Sequence, residues 1–357
     1  MIELACHLRR GGFSLELDTR LDSPATGIFG PSGSGKSSLL HALAGLIPAE
    51  RVTVRVGGAT LVAGPRRPRP HHRRIGLVFQ DHRLFPHLSV RANLLYGRRA
   101  QTTPDFAEIV DLLDIAPLLE RRPRACSGGQ RQRIALGRAL LAAPRLLLLD
   151  EPLSSLDDRL KREILPYLRR IRETCGIPLI MVSHDLDELL SVTDRILFLE
   201  SGRCRGQGTI AELAQRPELV SLLHDCGLVF ALHGHLEQDD TGKPACVCCD
   251  GPAGARIHCG PQQLSNGSRV EVLLRPEDVV IARTAGGRSS LRNRCPGLVR
   301  AITPGPQPGS ALVTVDIGTD APCLAAVSQA SCAKLALAPG VLVEAQWKAM
   351  AARVRAC

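Results

Sequence analysis

Apolar residues in the first two thirds of the chain fall into short continuous runs. Thr26 to Phe29, Ile75 to Phe79, Leu146 to Leu149, Leu179 to Val182 and Ile196 to Leu199 are each of strand length. Stretches with helical periodicity lie between them: Ser37 to Ala44, Phe106 to Leu113, Gln130 to Leu141 and Lys161 to Thr174. Apolar runs of four or five residues read as strands, and the periodic stretches as helices. Strands that alternate with helices predict a mostly parallel α/β sheet.

The pattern changes after about Phe230. Long helical stretches stop, and Gly and Pro become frequent. Short alternating runs appear at Arg269 to Leu274, Val279 to Ala282, Ala311 to Val315 and Val341 to Gln346, which predict a small β domain. Thr284 to Ser290 reads as a flexible link within it. The chain shows no internal repeat and no coiled-coil heptads.

Composition narrows this picture. The 357 residues leave room for one large domain or two ordinary ones. With 44% hydrophobic and 22% charged residues, the chain is not of the intrinsically disordered class. No apolar run approaches the roughly 18 residues of a membrane span. The most apolar stretch, Ile134 to Leu149, is interrupted by Arg138 and Arg145. Met1-Ile2-Glu3-Leu4 carries an acid where a signal peptide would be basic. The chain is therefore expected to be neither exported nor membrane-spanning by itself, and its 13 cysteines to be reduced thiols. The net charge of +10 fits nucleic acid, an anionic surface or phosphate ligands, and fits an Arg-rich coding bias equally well.

The sharpest chemical signal is Gly30-Pro31-Ser32-Gly33-Ser34-Gly35-Lys36-Ser37, between an apolar strand and a helix. It fits the pattern G-x-x-x-x-G-K-[ST] in the context that pattern requires. Glycines let backbone N–H groups face one anion, and the helix N-terminus adds positive potential. Lys36 would reach the β- and γ-phosphates, and Ser37 would ligate Mg²⁺. A second element, Leu146 to Leu149 with Asp150-Glu151 after it, places two acids at the carboxyl end of a strand, where the phosphate loop also lies. Asp150 would hold the Mg²⁺ shell, and Glu151 would act as general base on the attacking water. Cys126-Ser127-Gly128-Gly129-Gln130 opens a helix; it reads as an N-cap by Ser127 or as a further anion site.

Together these residues resemble the nucleotide-binding subunit of ATP-binding-cassette (ABC) transporters, over residues 1 to about 230. Gly30 to Ser37 matches the Walker A loop, Gln80 the Q-loop, Ser127 to Gln130 the signature motif and Leu146 to Glu151 Walker B. Ser154-Ser155-Leu156-Asp157 matches the D-loop, and His184 in Val182-Ser183-His184-Asp185 the switch histidine. The resemblance implies an ABC-type P-loop ATPase domain at 1–230, with a helical subdomain at about 81–145, binding ATP and Mg²⁺. It implies catalytic roles for Glu151, His184 and Gln80, with Ser37, Gln80 and Asp150 at Mg²⁺. It also implies a head-to-tail homodimer in which Ser127, Gly128, Gly129 and Gln130 meet the partner's ATP and Asp157 acts across the interface. Two positions depart from the family. Cys126 stands where Leu is usual, opening reactivity toward thiol reagents. Phe13 is the candidate for the adenine-stacking aromatic.

Arg74 to Gly97, Asp81 to His87 most distinctively, looks closely like the ATPase subunits of molybdate importers, as does Glu163-Ile164-Leu165-Pro166-Tyr167-Leu168. Val270 to Val279 resembles the start of a regulatory β domain, within a stretch at 231–290 read as linker and β region. Leu291-Arg292-Asn293, Gly297-Leu298-Val299, Val313-Thr314-Val315 and Leu337-Ala338-Pro339-Gly340 resemble one molybdenum-binding-protein-like repeat, an all-β OB-like domain at 291–355. The implied setting is the cytoplasmic face of a bacterial inner membrane, with two permease subunits and an extracytoplasmic molybdate-binding protein and no nucleic acid. Tungstate, sulfate, ferric iron or a polyamine are the alternative cargoes. A soluble cassette ATPase acting on nucleic acid or ribosomes would carry two cassettes or a coiled-coil insertion, and this sequence has neither. Arg66 to Arg74 is read as a solvated basic loop. Cys246, Cys248, Cys249 and Cys259 fit no common zinc spacing and are read as surface thiols.

Overall fold

The computed structural model describes residues 1–63, 68–98, 105–154, 156–214, 219, 230–237, 246–260, 264–283, 290–305 and 308–356. The chain forms two compact units, Met1–Thr209 and Ile210–Cys357. The segment after Thr209, expected with the first unit, groups with the second, because α7 (Ile210–Ala214) packs against the strand that begins at Phe230. The flexible link expected at 284–290 lies, but for Ser290, outside the described residues.

The first unit is built on one ten-stranded sheet. Its strands are β1 (Ile2–Arg10), β2 (Phe13–Leu21), β3 (Ala25–Phe29), β4 (Arg51–Val56), β5 (Ala59–Val62), β6 (Ile75–Val78), β7 (Leu146–Asp150), β8 (Leu179–Val182), β9 (Arg195–Glu200) and β10 (Arg203–Gly208). They lie in the order β5-β4-β1-β2-β10-β9-β3-β8-β7-β6. The half from β9 to β6 is parallel, as the apolar runs predict. In the other half the β1–β2, β1–β4, β4–β5 and β9–β10 pairs are antiparallel, and β10 meets β2 in parallel. This second half has its own signal: Ile2, Leu4, Cys6 and Leu8 alternate with less apolar positions, and all four are buried. Gly11 at φ 58° supplies the left-handed turn that pairs Arg10 with Phe13.

Between β3 and β4 runs α1 (Lys36–Ala44); between β6 and β7 run α2 (Val90–Leu95), α3 (Phe106–Leu112) and α4 (Gly128–Leu141). Asp105 with Glu108, and Ser127 with Gln130, form reciprocal capping boxes on α3 and α4. Each cap contributes about 1 kcal/mol. α5 (Asp158–Cys175) precedes β8, and α6 (Leu186–Val192) comes after it. The basic run departs from the solvated loop expected. Arg73 is buried and donates to the carbonyls of Ala42 and Leu43 at 3.0 and 2.8 Å, capping the C-terminus of α1. Arg66 and Arg67 lie outside the described residues.

The second unit holds two antiparallel five-stranded sheets. The first contains β11 (Phe230–Glu237), β12 (Cys246–Cys249), β13 (Arg256–His258), β14 (Arg269–Leu274) and β20 (Arg353–Ala356). The second contains β15 (Val280–Ala282), β16 (Asn293–Pro304), β17 (Ser310–Asp316), β18 (Cys323–Ser328) and β19 (Leu342–Trp347), with α8 (Gln329–Lys334) after β18. Buried Asn293 joins them, accepting from His258 N at 2.7 Å and donating to His258 O at 2.9 Å. Cys249, at the end of β12, and Cys259, just past β13, are buried rather than surface thiols. Among the described residues no group of three or more His, Cys, Asp or Glu side chains is placed to hold a metal.

Candidate functional site

Parallel β strands end their carboxyl edge together, and the segments just past the strand ends build the site. After β3 the chain turns through Gly30 (φ 154°), Gly33 (φ 79°) and Gly35 (φ 102°) into α1. A Cβ on Gly35 would stand 2.6 Å from Cζ of Phe13, so the glycine permits both the left-handed backbone and the seat of the ring. Lys36 is buried and its Nζ donates to Gly30 O and Pro31 O at 2.8 and 2.9 Å. The ammonium therefore sits inside the curl of the loop. Ser34 Oγ is buried there without a hydrogen-bond partner, an orphan that an anionic oxygen would satisfy.

A cavity of about 380 Å³ opens over this loop, lined by Arg10, Phe13, Ser32, Gly33, Gly35, Lys36, Ser37, Ser38 and Glu151. The structure thus brings Phe13, the phosphate loop and Glu151 to one space. Gln80, His184 and Ser127 to Gln130 are not among its described lining residues.

Asp150 ends β7 and is buried. Ser37 Oγ donates to Asp150 Oδ1 at 2.8 Å. A hydroxyl and a carboxylate so close form a hard-oxygen donor set that fits Mg²⁺, which keeps several waters and needs only one or two protein carboxylates. Asp150 Oδ2 faces His41 Nε2 at 3.1 Å, and the His41 ring lies 5.8 Å from that of Phe79. His41 is a neighbour of the site that sequence reasoning missed. Its one signal is the four-residue spacing from Ser37, which puts both on one face of α1.

Glu151 comes next with φ 45°, a left-handed backbone in a residue with a Cβ, which costs about 1–2 kcal/mol. Register explains what it meets. Asp150 pairs with Val182 across β7 and β8, so the residues just past both strands come together. Glu151 N donates to Val182 O at 3.0 Å, and His184 Nδ1 stands 3.3 Å from Glu151 Oε2. On the other side β6 pairs Val78 with Leu149, which brings Gln80 to the same edge, exposed.

The backbone after Gln80 is left-handed at His82 (φ 62°) and Arg83 (φ 45°). Arg138 of α4 donates to Arg83 O at 2.7 Å and to His82 O at 3.1 Å, and its guanidinium lies over the Phe85 ring. Burial, and then the nearby Arg131 charge, push the His82 imidazole below its ordinary range.

Ser127 caps α4, accepting from Gln130 N at 3.2 Å while Gln130 Oε1 accepts from Ser127 N at 2.9 Å. Ser127 is exposed, so the end of this helix faces solvent in the single chain. Cys126 is 5% exposed, and burial pushes its thiol up, so the expected reactivity toward thiol reagents is corrected: little thiolate is presented. Asp157 caps α5 by accepting from Leu160 N at 2.9 Å and is exposed; Ser155 lies outside the described residues.

The chain is similar to known proteins in both units. The ABC transporter family matches residues 20–154, and the TOBE domain matches residues 289–354. The molybdenum import ATP-binding protein ModC of Rhizobium meliloti is 38% identical, over 98% of this chain and 99% of that protein. The protein of the same name from Mesorhizobium japonicum is 40% identical over 87% of this chain and 84% of its own length. An ATP-binding cassette solved as a post-hydrolysis dimer with ADP and Pi matches at 25% identity and a TM-score of 0.49, over 58% of this chain and 98% of that one.

Proposed function

The chain belongs to the molybdenum import ATP-binding proteins of the ABC transporter family, and from that premise we propose how its site works. It is the ATP-hydrolysing subunit of a molybdate importer. The observation that carries the chemistry is the meeting, at one sheet edge, of the Lys36 loop, the Ser37–Asp150 pair and the Glu151–His184 pair. Near-full-length likeness to molybdenum import proteins, through the C-terminal β unit, carries the cargo.

ATP enters the cavity with its adenine on Phe13 and its phosphates in the loop from Gly30 to Ser37. Lys36 exchanges the carbonyls of Gly30 and Pro31 for β- and γ-phosphate oxygens. Backbone N–H groups of Gly33 to Ser37 and the N-terminus of α1 complete the cradle. Ser37 and Asp150, with Gln80 beside them, would hold Mg²⁺, which neutralises charge on the β- and γ-phosphates. Glu151 takes the proton of the attacking water. His184 orients the Glu151 carboxylate and contacts the γ-phosphate.

The cap at Ser127 to Gln130, exposed at Ser127, lies outside the described lining of its own chain's cavity, which supports a head-to-tail dimer in which it closes on the partner's ATP. Gln80 reports the state of the site to a permease. Among the described residues no helix is long and apolar enough to cross a membrane. Likeness to molybdenum import ATP-binding proteins supports a partnership with permease subunits, fed by an extracytoplasmic molybdate-binding protein. The cassette then works at the cytoplasmic face of the inner membrane.

Cellular molybdenum in a strain lacking the gene, grown at scarce molybdate, tests both halves of this reading. Restoration by the wild-type chain but not by Lys36→Ala is the expected result. Unchanged molybdenum in the deletion strain would redirect the cargo to sulfate, iron or polyamines. Full restoration by Lys36→Ala would remove the ATPase role.

A further inference from the structure

A third carboxylate near the site has no part in the hydrolytic mechanism. Glu188 of α6 is only 4% exposed, deeper than Glu151. Its Oε2 accepts from Ser183 Oγ at 2.6 Å, and its Oε1 lies 2.8 Å from Nζ of Lys161. Ser183 is itself buried and immediately precedes His184. The Ser183 hydroxyl also accepts from Asp185 N at 3.0 Å, so one side-chain oxygen fixes the backbone on both sides of the histidine. Lys161 stands in the first turn of α5, where its own N–H donates to the carbonyl of Asp157 at 2.9 Å.

The His184 side chain is 56% exposed. Packing does not hold its ring against Glu151; the backbone at 183–185 decides where it points. That backbone hangs from Ser183, Ser183 from Glu188, and Glu188 from Lys161. Glu188 is buried and Lys161 half-buried, and an ion pair taken out of water is seldom the most stabilising filling for its volume, so its presence here calls for a geometric reason.

We propose that Lys161 and Glu188 are positioning residues for hydrolysis: they hold His184 against Glu151 and tie it to the helix that Asp157 begins. The proposal rests on the ATPase reading of the site. Neither residue is among the described lining of the nucleotide cavity, and the pair acts through His184. It should therefore change turnover and leave nucleotide affinity alone.

The test is steady-state ATP hydrolysis by the full-length chain and its variants. Lys161→Met and Glu188→Gln should lower kcat by about tenfold or more, as expected when a reacting group is misplaced by an ångström or less. KM for ATP should stay within about twofold, and Lys161→Arg should keep most of the activity. In a His184→Ala background, Glu188→Gln should add no further loss, because its route is already cut. Should either single variant fail to fold, Lys161→Met with Glu188→Gln removes both charges together. That double variant should fold with a normal melting temperature and remain slow.

Wild-type kcat in folded single variants, or in the doubly neutral variant, would overturn the proposal. So would a rise in KM that accounts for the loss. So would an equal Glu188→Gln factor with and without His184, which marks a structural role. A wild-type chain that hydrolyses no ATP would overturn the ATPase reading and this inference together. Wild-type hydrolysis with unaffected variants overturns this inference alone.

Discussion

Ser37 and Asp150 are 113 positions apart in sequence and 2.8 Å apart in space, hydroxyl to carboxylate. The contact joins the first turn of α1 to the end of β7, and so couples the phosphate loop to the strand that carries the general base. Because this pair also forms the hard-oxygen donor set, Ser37→Ala and Asp150→Asn should weaken Mg²⁺-dependent nucleotide binding by about 10- to 100-fold. ATP titrations with and without Mg²⁺ would read this. Wild type should gain strongly from the ion and the variants little. Equal gains would separate the pair from the metal.

Glu151 and His184 should separate hydrolysis from binding. Glu151→Gln keeps the shape and removes the base, so kcat should fall by about 10²- to 10⁴-fold with ATP affinity preserved. His184→Ala removes the orienting contact at 3.3 Å and the contact with the γ-phosphate but leaves the base in place, so its loss should be smaller. Single-turnover measurements distinguish the two from any slow product release. A greater loss from His184→Ala than from Glu151→Gln would reverse the assignment of base and orienter.

Arg138 holds two carbonyls of the left-handed turn after Gln80, and ties that turn to the helix capped by Ser127. Lysine places a single ammonium where the guanidinium reaches both carbonyls. Arg138→Lys should therefore fold, yet lose a share of ATPase activity. Arg138→Ala should destabilise the chain by about 1–3 kcal/mol as well, since two carbonyls lose a charged donor. Thermal melts paired with ATPase rates on both variants check this. Full activity in Arg138→Lys would show that the clamp is not needed to shape the turn.

The legible parts of this protein are the local ones. The loop from Gly30 to Ser37, the acids after Leu149 and the cap at Ser127 each put their chemistry within a few residues, so spacing alone exposes them. The parallel half of the sheet is legible because its strands are continuous apolar runs. The β1–β2 hairpin carries an alternating pattern at Ile2, Leu4, Cys6 and Leu8, a weaker signal than the βα alternation beside it. Contacts between elements are not legible. His41 meets Asp150, Arg73 caps α1 and Lys161 meets Glu188 only because helices and sheet pack in register. In sequence these residues are an ordinary histidine, one arginine of a basic run, and an ion pair with nothing to mark it.

The second unit should be alkali-sensitive through its thiols. Burial is the first cause in each case, pushing Cys249 up to about 12 and Cys259 and Cys295 up to about 11, from an ordinary 9.0. Cys323, fully buried, is pushed up as well. A thiol whose folded pKa is raised favours the native state's neutral form. Its contribution is fully present below the unfolded value near 9. Above that, the unfolded chain ionises first and gains stability relative to the native one. Stability should therefore hold from pH 7 to about 9 and fall as pH rises through 9 toward 11–12. Melting temperatures of the full-length chain at pH 8 to 11 would show the decline. Cys249→Ala with Cys295→Ala should flatten the curve above pH 9, at some loss of stability at neutral pH from the cavities left behind. A pair of variants as alkali-sensitive as wild type would locate the titration in other groups.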